Sequence, residues 1–277
     1  MVTDRNGPKA MGAHLVVGGF PAGSGAGHDM DYVRLRLLEG LARRPNVQTS
    51  VANDFAQLDT WLGVSRFLVT YTAGPHPSEA ENEVLHDWLQ AGGRWLGLHG
   101  TSGGRAARAG RRRQMVRTGH HDTLGGFFLN HPPIRSFIVD VAEHELTAGV
   151  GNFTTSDELY FVELTHPEDT TVLLTTELAT NPAPDFGFVY DTDTSLLSDG
   201  RTRALGFTRP VGDGGVTYYA LGHSHDPATN SQPWVDRSVA ADGTTPLTFR
   251  GSWESDDFNR LLDNAINWGC GAASIRA

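Results

Sequence analysis

Between His14 and Gly100 the chain repeats one pattern, and that repetition limits the fold more than any single motif does. Short apolar runs alternate with amphipathic stretches. The runs are His14 to Phe20, Val47 to Ala52, Phe67 to Tyr71 and Arg94 to His99. Each has the length and apolar density of a buried strand. After the first run, Asp29 is placed to cap a helix whose apolar face is Val33, Leu35, Leu37, Leu38 and Leu41. After the third, Ser78 precedes Val84, Leu85, Trp88 and Leu89, and Gly92-Gly93 closes that stretch. Strands alternating with helices predict parallel pairing, with helices on both faces of the sheet. Ligands of such sheets bind beyond the carboxyl ends of the strands. The loops after the first, third and fourth runs then converge on one rim, carrying His28, Tyr71 with Thr72, and His99.

The second half reads differently. Phe137 to Val141, Leu159 to Leu164, Thr171 to Thr176, Ala204 to Phe207 and Val216 to Leu221 are short β-like runs with polar connections. Phe258 to Trp268 is a closing amphipathic helix, with Asp256 or Asp257 as its expected cap. No internal repeat is visible. At 277 residues the chain fits one α/β domain over 1–277. Residues 1–12 read as a flexible tail, and 103–123 and 227–248 as insertions or loops. Loops this long are usually lids, interfaces or disordered segments.

Charge and cysteine content exclude several classes. The net charge of −10 argues against nucleic-acid binding, which needs a basic surface. Against that background Arg105, Arg108, Arg111, Arg112, Arg113 and Arg117 form a basic island. It reads as a solvated or interface-forming insertion, which leaves a homodimer open, with phosphate or polyanion binding as the second reading. No segment approaches the roughly 20 apolar residues of a membrane span, and Met1 to Gly12 lacks the apolar run of a secretory signal. The expectation is a cytoplasmic protein without a membrane partner. Cys270 is the single cysteine, so no intramolecular disulfide can form. Nothing around it would activate a thiol, and it reads as a small core residue.

Twelve histidines are many for this length, and several fall at strand ends. Imidazole titrates near neutral pH and binds metals. His99 leaves a strand at a Gly-flanked turn, a place that in α/β enzymes displays a nucleophile. Imidazole there suits acid/base work or metal ligation rather than acyl transfer. His131 lies in Asn130-His131-Pro132-Pro133, where the prolines stiffen the loop. His223 follows a strand and a glycine, with His225 and Asp226 nearby. His28 could meet a substrate oxygen or merely cap the first helix. His120 and His121 read as solvated, and His144 as holding a turn. No pair has a compact metal spacing such as H-E-x-x-H. A divalent metal such as zinc would have to be assembled from distant loops, with His99, His131 and His223 as its ligands. The Gly18 to Gly27 loop matches neither dinucleotide nor P-loop spacing and reads as a rim loop.

An ordered set of these segments resembles the ThuA-like (trehalose-utilisation) family. It comprises Gly27-His28-Asp29, Phe67 to Tyr71, Gly92 to Gly100, Leu124 to Pro132, His144 to Val150, Asp157-Glu158-Leu159-Tyr160, Ala220-Leu221-Gly222-His223 and Ala265 to Trp268. Segments Gly103 to Thr118 and Pro227 to Thr248 depart from the family pattern. The resemblance implies a flavodoxin-like, class I glutamine-amidotransferase-like three-layer sandwich with a mostly parallel central sheet. It also implies a link to trehalose and related disaccharides, including 3-keto glycosides. True amidotransferases carry cysteine in the elbow that His99 occupies here, so glutaminase activity is not expected.

The resulting expectation is an enzyme acting on a small-molecule sugar or keto-sugar as isomerase, lyase or hydrolase. His99, His131, His223 and Glu158 are its catalytic candidates. His28, Asp29, Tyr71, Tyr160 and His225 are its substrate-binding candidates. The rivals are a non-catalytic sugar-binding or regulatory protein, and an acyl-transfer hydrolase using Ser102.

Overall fold

The computed structural model describes residues 10–19, 25–232, 235–236, 239 and 242–271. The first half follows the alternation: β1 (Met11–Gly19), α1 (Met30–Ala42), β2 (Val47–Ala52), α2 (Leu58–Leu62), β3 (Phe67–Ala73), α3 (Glu79–Gln90) and β4 (Arg94–Leu98). A hairpin of β5 (Ala106–Ala109) and β6 (Arg112–Met115) comes next, then α4 (Gly119–Leu124) and β7 (Gly126–Asn130). The rest is β8 (Arg135–Val141), β9 (Phe153–Asp157), β10 (Phe161–Leu164), β11 (Thr171–Glu177), β12 (Thr202–Val211), β13 (Gly214–Tyr219) and α5 (Asp256–Cys270).

Nine strands form one sheet in the order β2-β1-β3-β4-β13-β12-β11-β8-β9. The pairings from β2 through β13 are parallel, and those from β13 through β9 are antiparallel. Parallel neighbours need a crossover, and helices supply it in the first half; antiparallel neighbours need only a turn. Side chains alternate across the parallel strands. Leu15, Val17, Val69 and Leu96 pack with Val33 and Leu37 of α1 and Leu261 of α5. Val16, Leu68 and Trp95 face the other way, with Leu58 of α2 and Leu85 and Leu89 of α3. Helices therefore cover both faces, giving three layers.

Local signals explain the boundaries. The Asp29 carboxylate accepts from Tyr32 N–H at the start of α1. Ser78 and Glu81 form a reciprocal capping box on α3. Helix α5 begins at Asp256 itself and is capped by Ser255, not by Asp256 or Asp257. The fourth strand stops at Leu98, because His99 has φ +43°, the left-handed region that side chains disfavour. Met11 and Gly12, read as tail, already belong to β1, while residues 1–9 lie outside the described residues. Segment 103–123 is not a bare loop: it forms the β5–β6 hairpin and the start of α4. Within 227–248 the described residues hold no regular element, only a bridge from Val235 to Ile134.

Candidate metal centre

Four side chains from four loops meet at the rim of the parallel strands. His28 directly precedes Asp29, the cap of α1. His99 follows β4, Glu158 follows β9, and His223 lies beyond β13. One nitrogen from each histidine and one Glu158 oxygen all lie within 4.8 Å of one another, and all four residues are buried. Glu158 Oε2 is 3.3 Å from His99 Nε2 and 3.3 Å from His223 Nδ1.

The outer hydrogen bonds fix which nitrogen faces inward. A carbonyl oxygen only accepts, so a ring nitrogen beside one carries the hydrogen. His99 Nδ1 lies 2.8 Å from Ala220 O, and His28 Nδ1 lies 3.1 Å from Ala26 O. Both therefore aim a bare Nε2 inward. His223 is set through a relay. His225 Nε2 donates to Pro246 O at 2.7 Å, which leaves His225 Nδ1 as an acceptor in the neutral ring. His223 Nε2 donates to it at 2.9 Å, and His223 Nδ1 is left with its lone pair. His28 Nε2, His99 Nε2 and His223 Nδ1 are buried and have no hydrogen-bond partner.

Three lone pairs and a carboxylate oxygen thus converge with no donor among them. Such an arrangement is costly unless a cation fills it. Burial lowers the His28 pKa to about 4 and holds that of His223 well below its usual value, so both rings stay neutral and able to ligate. Burial pushes the Glu158 carboxyl up, but any proton taken up by His131, His223 or His99 beside it favours the carboxylate, and the net direction is well below the usual range. Three imidazoles and one carboxylate suit zinc or a similar divalent ion. In a tetrahedral site with bonds of roughly 2.0–2.2 Å the ligand atoms lie about 3.3–3.6 Å apart; the two 3.3 Å contacts to Glu158 Oε2 already match that, and the rest of the set, within 4.8 Å, would have to draw in.

The supporting shell is specific. Asp157 is fully buried; its carboxylate accepts from the backbone N–H groups of Glu158, Gly222 and His223 and from the Ser252 hydroxyl. It holds two of the four candidate ligands in place through their own main chain. Burial raises its pKa. Tyr71 and Trp253 both donate to Gly222 O, at 3.0 and 2.7 Å. Asp29 N–H donates to Ser224 O, which ties the His28 loop to the His223 loop.

The residues singled out in the sequence take distinct positions. His131 stands one step outside the four-atom set, with Nε2 3.8 Å from Glu158 Oε1; His28 joins His99 and His223 in its place. Tyr160 stacks on His99, ring centres 4.1 Å apart. His225 lies behind His223. Asp29 caps α1 and pairs with Arg250 at 2.8 Å. The Tyr71 hydroxyl is turned to Gly222 rather than to the cavity. Gln232, not expected from the sequence, donates to Glu158 Oε1. Asp157 stands out in the sequence only as an acidic neighbour in Asp157-Glu158-Leu159-Tyr160, and Ser252 not at all; distances of 65 and 95 residues separate Asp157 from Gly222 and Ser252.

Other expectations change. His120 and His121, read as solvated, are buried. Ser102 is fully buried and bonds the Tyr218 hydroxyl rather than an imidazole, which removes the acyl-transfer arrangement. Burial raises the Cys270 thiol to about 11, opposite to the shift a nucleophile needs. A cavity of about 1120 Å3 opens beside the centre, and His28, His131, Glu158 and Tyr160 form its inner end.

Fold and centre together define a three-layer α/β protein with three histidines and one carboxylate gathered at its strand ends. A family model described as ThuA, trehalose utilisation, matches residues 20–241, and the chain belongs to the ThuA family. None of the curated proteins matches the chain. A ThuA-like protein from Bacteroides uniformis is 15% identical, covering 97% of this chain and 95% of that one with a TM-score of 0.60. A ThuA-like protein from Parabacteroides merdae is 14% identical, covering 97% and 93% with a TM-score of 0.58. Their likeness is one of fold, and it is consistent with the flavodoxin-like architecture.

Proposed function

We propose that this ThuA-family protein is a cytoplasmic, metal-dependent enzyme of carbohydrate utilisation acting on a sugar or keto-sugar. The observation that carries this reading is the convergence of four acceptors with no donor. His28 Nε2, His99 Nε2, His223 Nδ1 and Glu158 would hold a divalent cation such as zinc. When bound, such a cation polarises a carbonyl or lowers the pKa of a hydroxyl. His131 has its ring at the cavity wall with Nε2 beside Glu158, and it is the residue suited to move a proton on the sugar. The Tyr160 ring backs His99 and borders the cavity, and Gln232 orients Glu158. Isomerase, lyase and hydrolase chemistry all use a group that polarises oxygen beside one that moves a proton. The absence of cysteine at His99 and the raised thiol of Cys270 argue against glutaminase activity.

The test is metal content by mass spectrometry for the purified chain and for a His99→Ala, His223→Ala double variant. About one divalent ion per chain, lost in the variant, supports the reading. A wild-type chain that stays metal-free after exposure to zinc, manganese and cobalt would sink it. No helix among the described residues is long and apolar enough to cross a membrane.

A further inference from the structure

The basic hairpin faces the same cavity as the centre. β5 and β6 pair antiparallel, with Ala106 opposite Met115 and Arg108 opposite Arg113. Like charges directly opposite each other on paired strands are unfavourable. The ion pairs of this segment run from Arg117 to Asp122 and Glu163. Arg105, Arg108 and Arg113 have none among the described residues, in a chain whose net charge is −10. Arg105 and Arg113 line the cavity.

The wall that carries them is fixed. Arg112 donates to the carbonyls of Pro184, Phe186, Gly187 and Phe188, and Val189 N–H donates to Arg113 O. Phe186 and Phe188 are thereby held beside the hairpin, with the Arg113 guanidinium 5.1 Å from the Phe188 ring centre. Met115, Phe186 and Phe188 give this end of the cavity apolar surface for a sugar ring. The acidic side chains lining the cavity are Glu158 at the inner end and Glu79. At about 1120 Å3 the cavity exceeds the roughly 300–1,000 Å3 of common ligand pockets, so it has room for more than one ring.

We propose that the hairpin forms an outer subsite for an anionic group, with Arg105 and Arg113 gripping a carboxylate or phosphate on the distal part of the sugar. The guanidinium fork matches both groups bidentately. The proposal rests on the sugar-site reading only for what occupies the inner end; recognition of the anion is independent of the metal.

Calorimetric titration of the full chain with trehalose, trehalose 6-phosphate and a glucuronyl-glucose disaccharide tests it. At low ionic strength at least one charged probe binds about 10-fold or more tighter than trehalose. The preference shrinks with salt and disappears in an Arg105→Gln, Arg113→Gln variant that keeps Arg112, its staple, and its wild-type metal content. The ranking of the two charged probes distinguishes phosphate from uronate. A Glu158→Gln variant, which disables the centre, keeps the charged-over-neutral ratio. Equal affinity for all three probes, no binding by either charged probe, or a preference that survives the arginine changes overturns the subsite. So does a preference lost in Glu158→Gln, which would place the anion at the centre. Metal content of the wild type, measured separately, reports on the other reading.

Discussion

The protein gathers two groups of buried or half-buried histidines, and they differ in one respect. His28, His99 and His223 meet at the strand ends; His76, His120 and His121 meet beside the basic hairpin, with ring centres 5.1 Å apart for His76–His120 and 3.9 Å for His120–His121. Burial lowers pKa values in both groups: to about 4 for His28 and His121, to about 3 for His76, and well below the usual value for His223 and His120. In the second group the nitrogens are spent on the fold. His120 bonds Thr101 O and the Thr118 hydroxyl; His121 bonds Gly103 O and accepts from Thr118 N–H. His76 is the exception: it is held by stacking on His120, and its Nδ1 lacks a hydrogen-bond partner. In the first group one nitrogen of every ring is left bare, and all three aim at one carboxylate. Depressed basicity therefore marks burial alone, while unpartnered lone pairs aimed at a common point mark a ligand.

That contrast can be broken most forcefully by deletion. His99→Ala is expected to lower metal affinity by about three orders of magnitude or more while the chain stays folded, measured by competition with a chromophoric chelator. His121→Ala should do the opposite: metal binding is kept, and unfolding by urea shows a loss of about 2–4 kcal/mol from a cavity and two broken hydrogen bonds. If both variants lose metal alike, the distinction between the groups fails.

Acid should touch both groups. Between about pH 6.5 and 4 the unfolded chain binds protons that folded His28 and His121 refuse, so stability rises with pH across that window. Each group contributes up to roughly 3 kcal/mol, fully present above pH 6.5 and lost as pH falls to 4. Bound zinc should steepen the acid limb in the wild type but not in Glu158→Gln, as followed by thermal melts. A flat stability profile from pH 7 to 4 would contradict the neutral buried rings.

The smallest effects belong to the outer shell. His225→Ala removes the acceptor that sets the His223 tautomer, and Asp157→Asn loosens the backbone under Glu158 and His223. Each should weaken metal binding about 10–100-fold without abolishing it. Unchanged affinity in His225→Ala would show that the relay from Pro246 has no influence on His223.

Much of the fold was legible because it rests on local patterns. The parallel half follows from apolar runs and caps such as Asp29 and the Ser78–Glu81 box. The hairpin is not legible because Ala106–Ala109 is mostly alanine and Arg112–Met115 mostly polar, with none of the β-branched or aromatic residues that announce strands. β9 (Phe153–Asp157) has a mixed polar pattern, with one face exposed at the sheet's edge. At the centre, His99 and His223 are legible as strand-end residues, and Glu158 as an acidic neighbour within Asp157-Glu158-Leu159-Tyr160. His28 was weighed as a substrate contact or helix cap, and His131 as the third ligand. What separates the two is where the inner nitrogen falls: that of His28 lies within 4.8 Å of the other ligand atoms, whereas His131 Nε2 sits 3.8 Å from the other Glu158 oxygen, Oε1, and no spacing in the chain encodes that. Gln232 and Ser252 are joined to the site only by tertiary contacts, and Asp157, though next to Glu158, reaches the His223 loop only by folding.

The most direct measurement is anomalous diffraction from zinc-loaded crystals collected on both sides of the zinc edge. The account predicts one strong peak bounded by His28 Nε2, His99 Nε2, His223 Nδ1 and Glu158, and none at His76, His120 and His121. A saturated crystal with no peak between those four atoms, or with its peak at the second group, would contradict it.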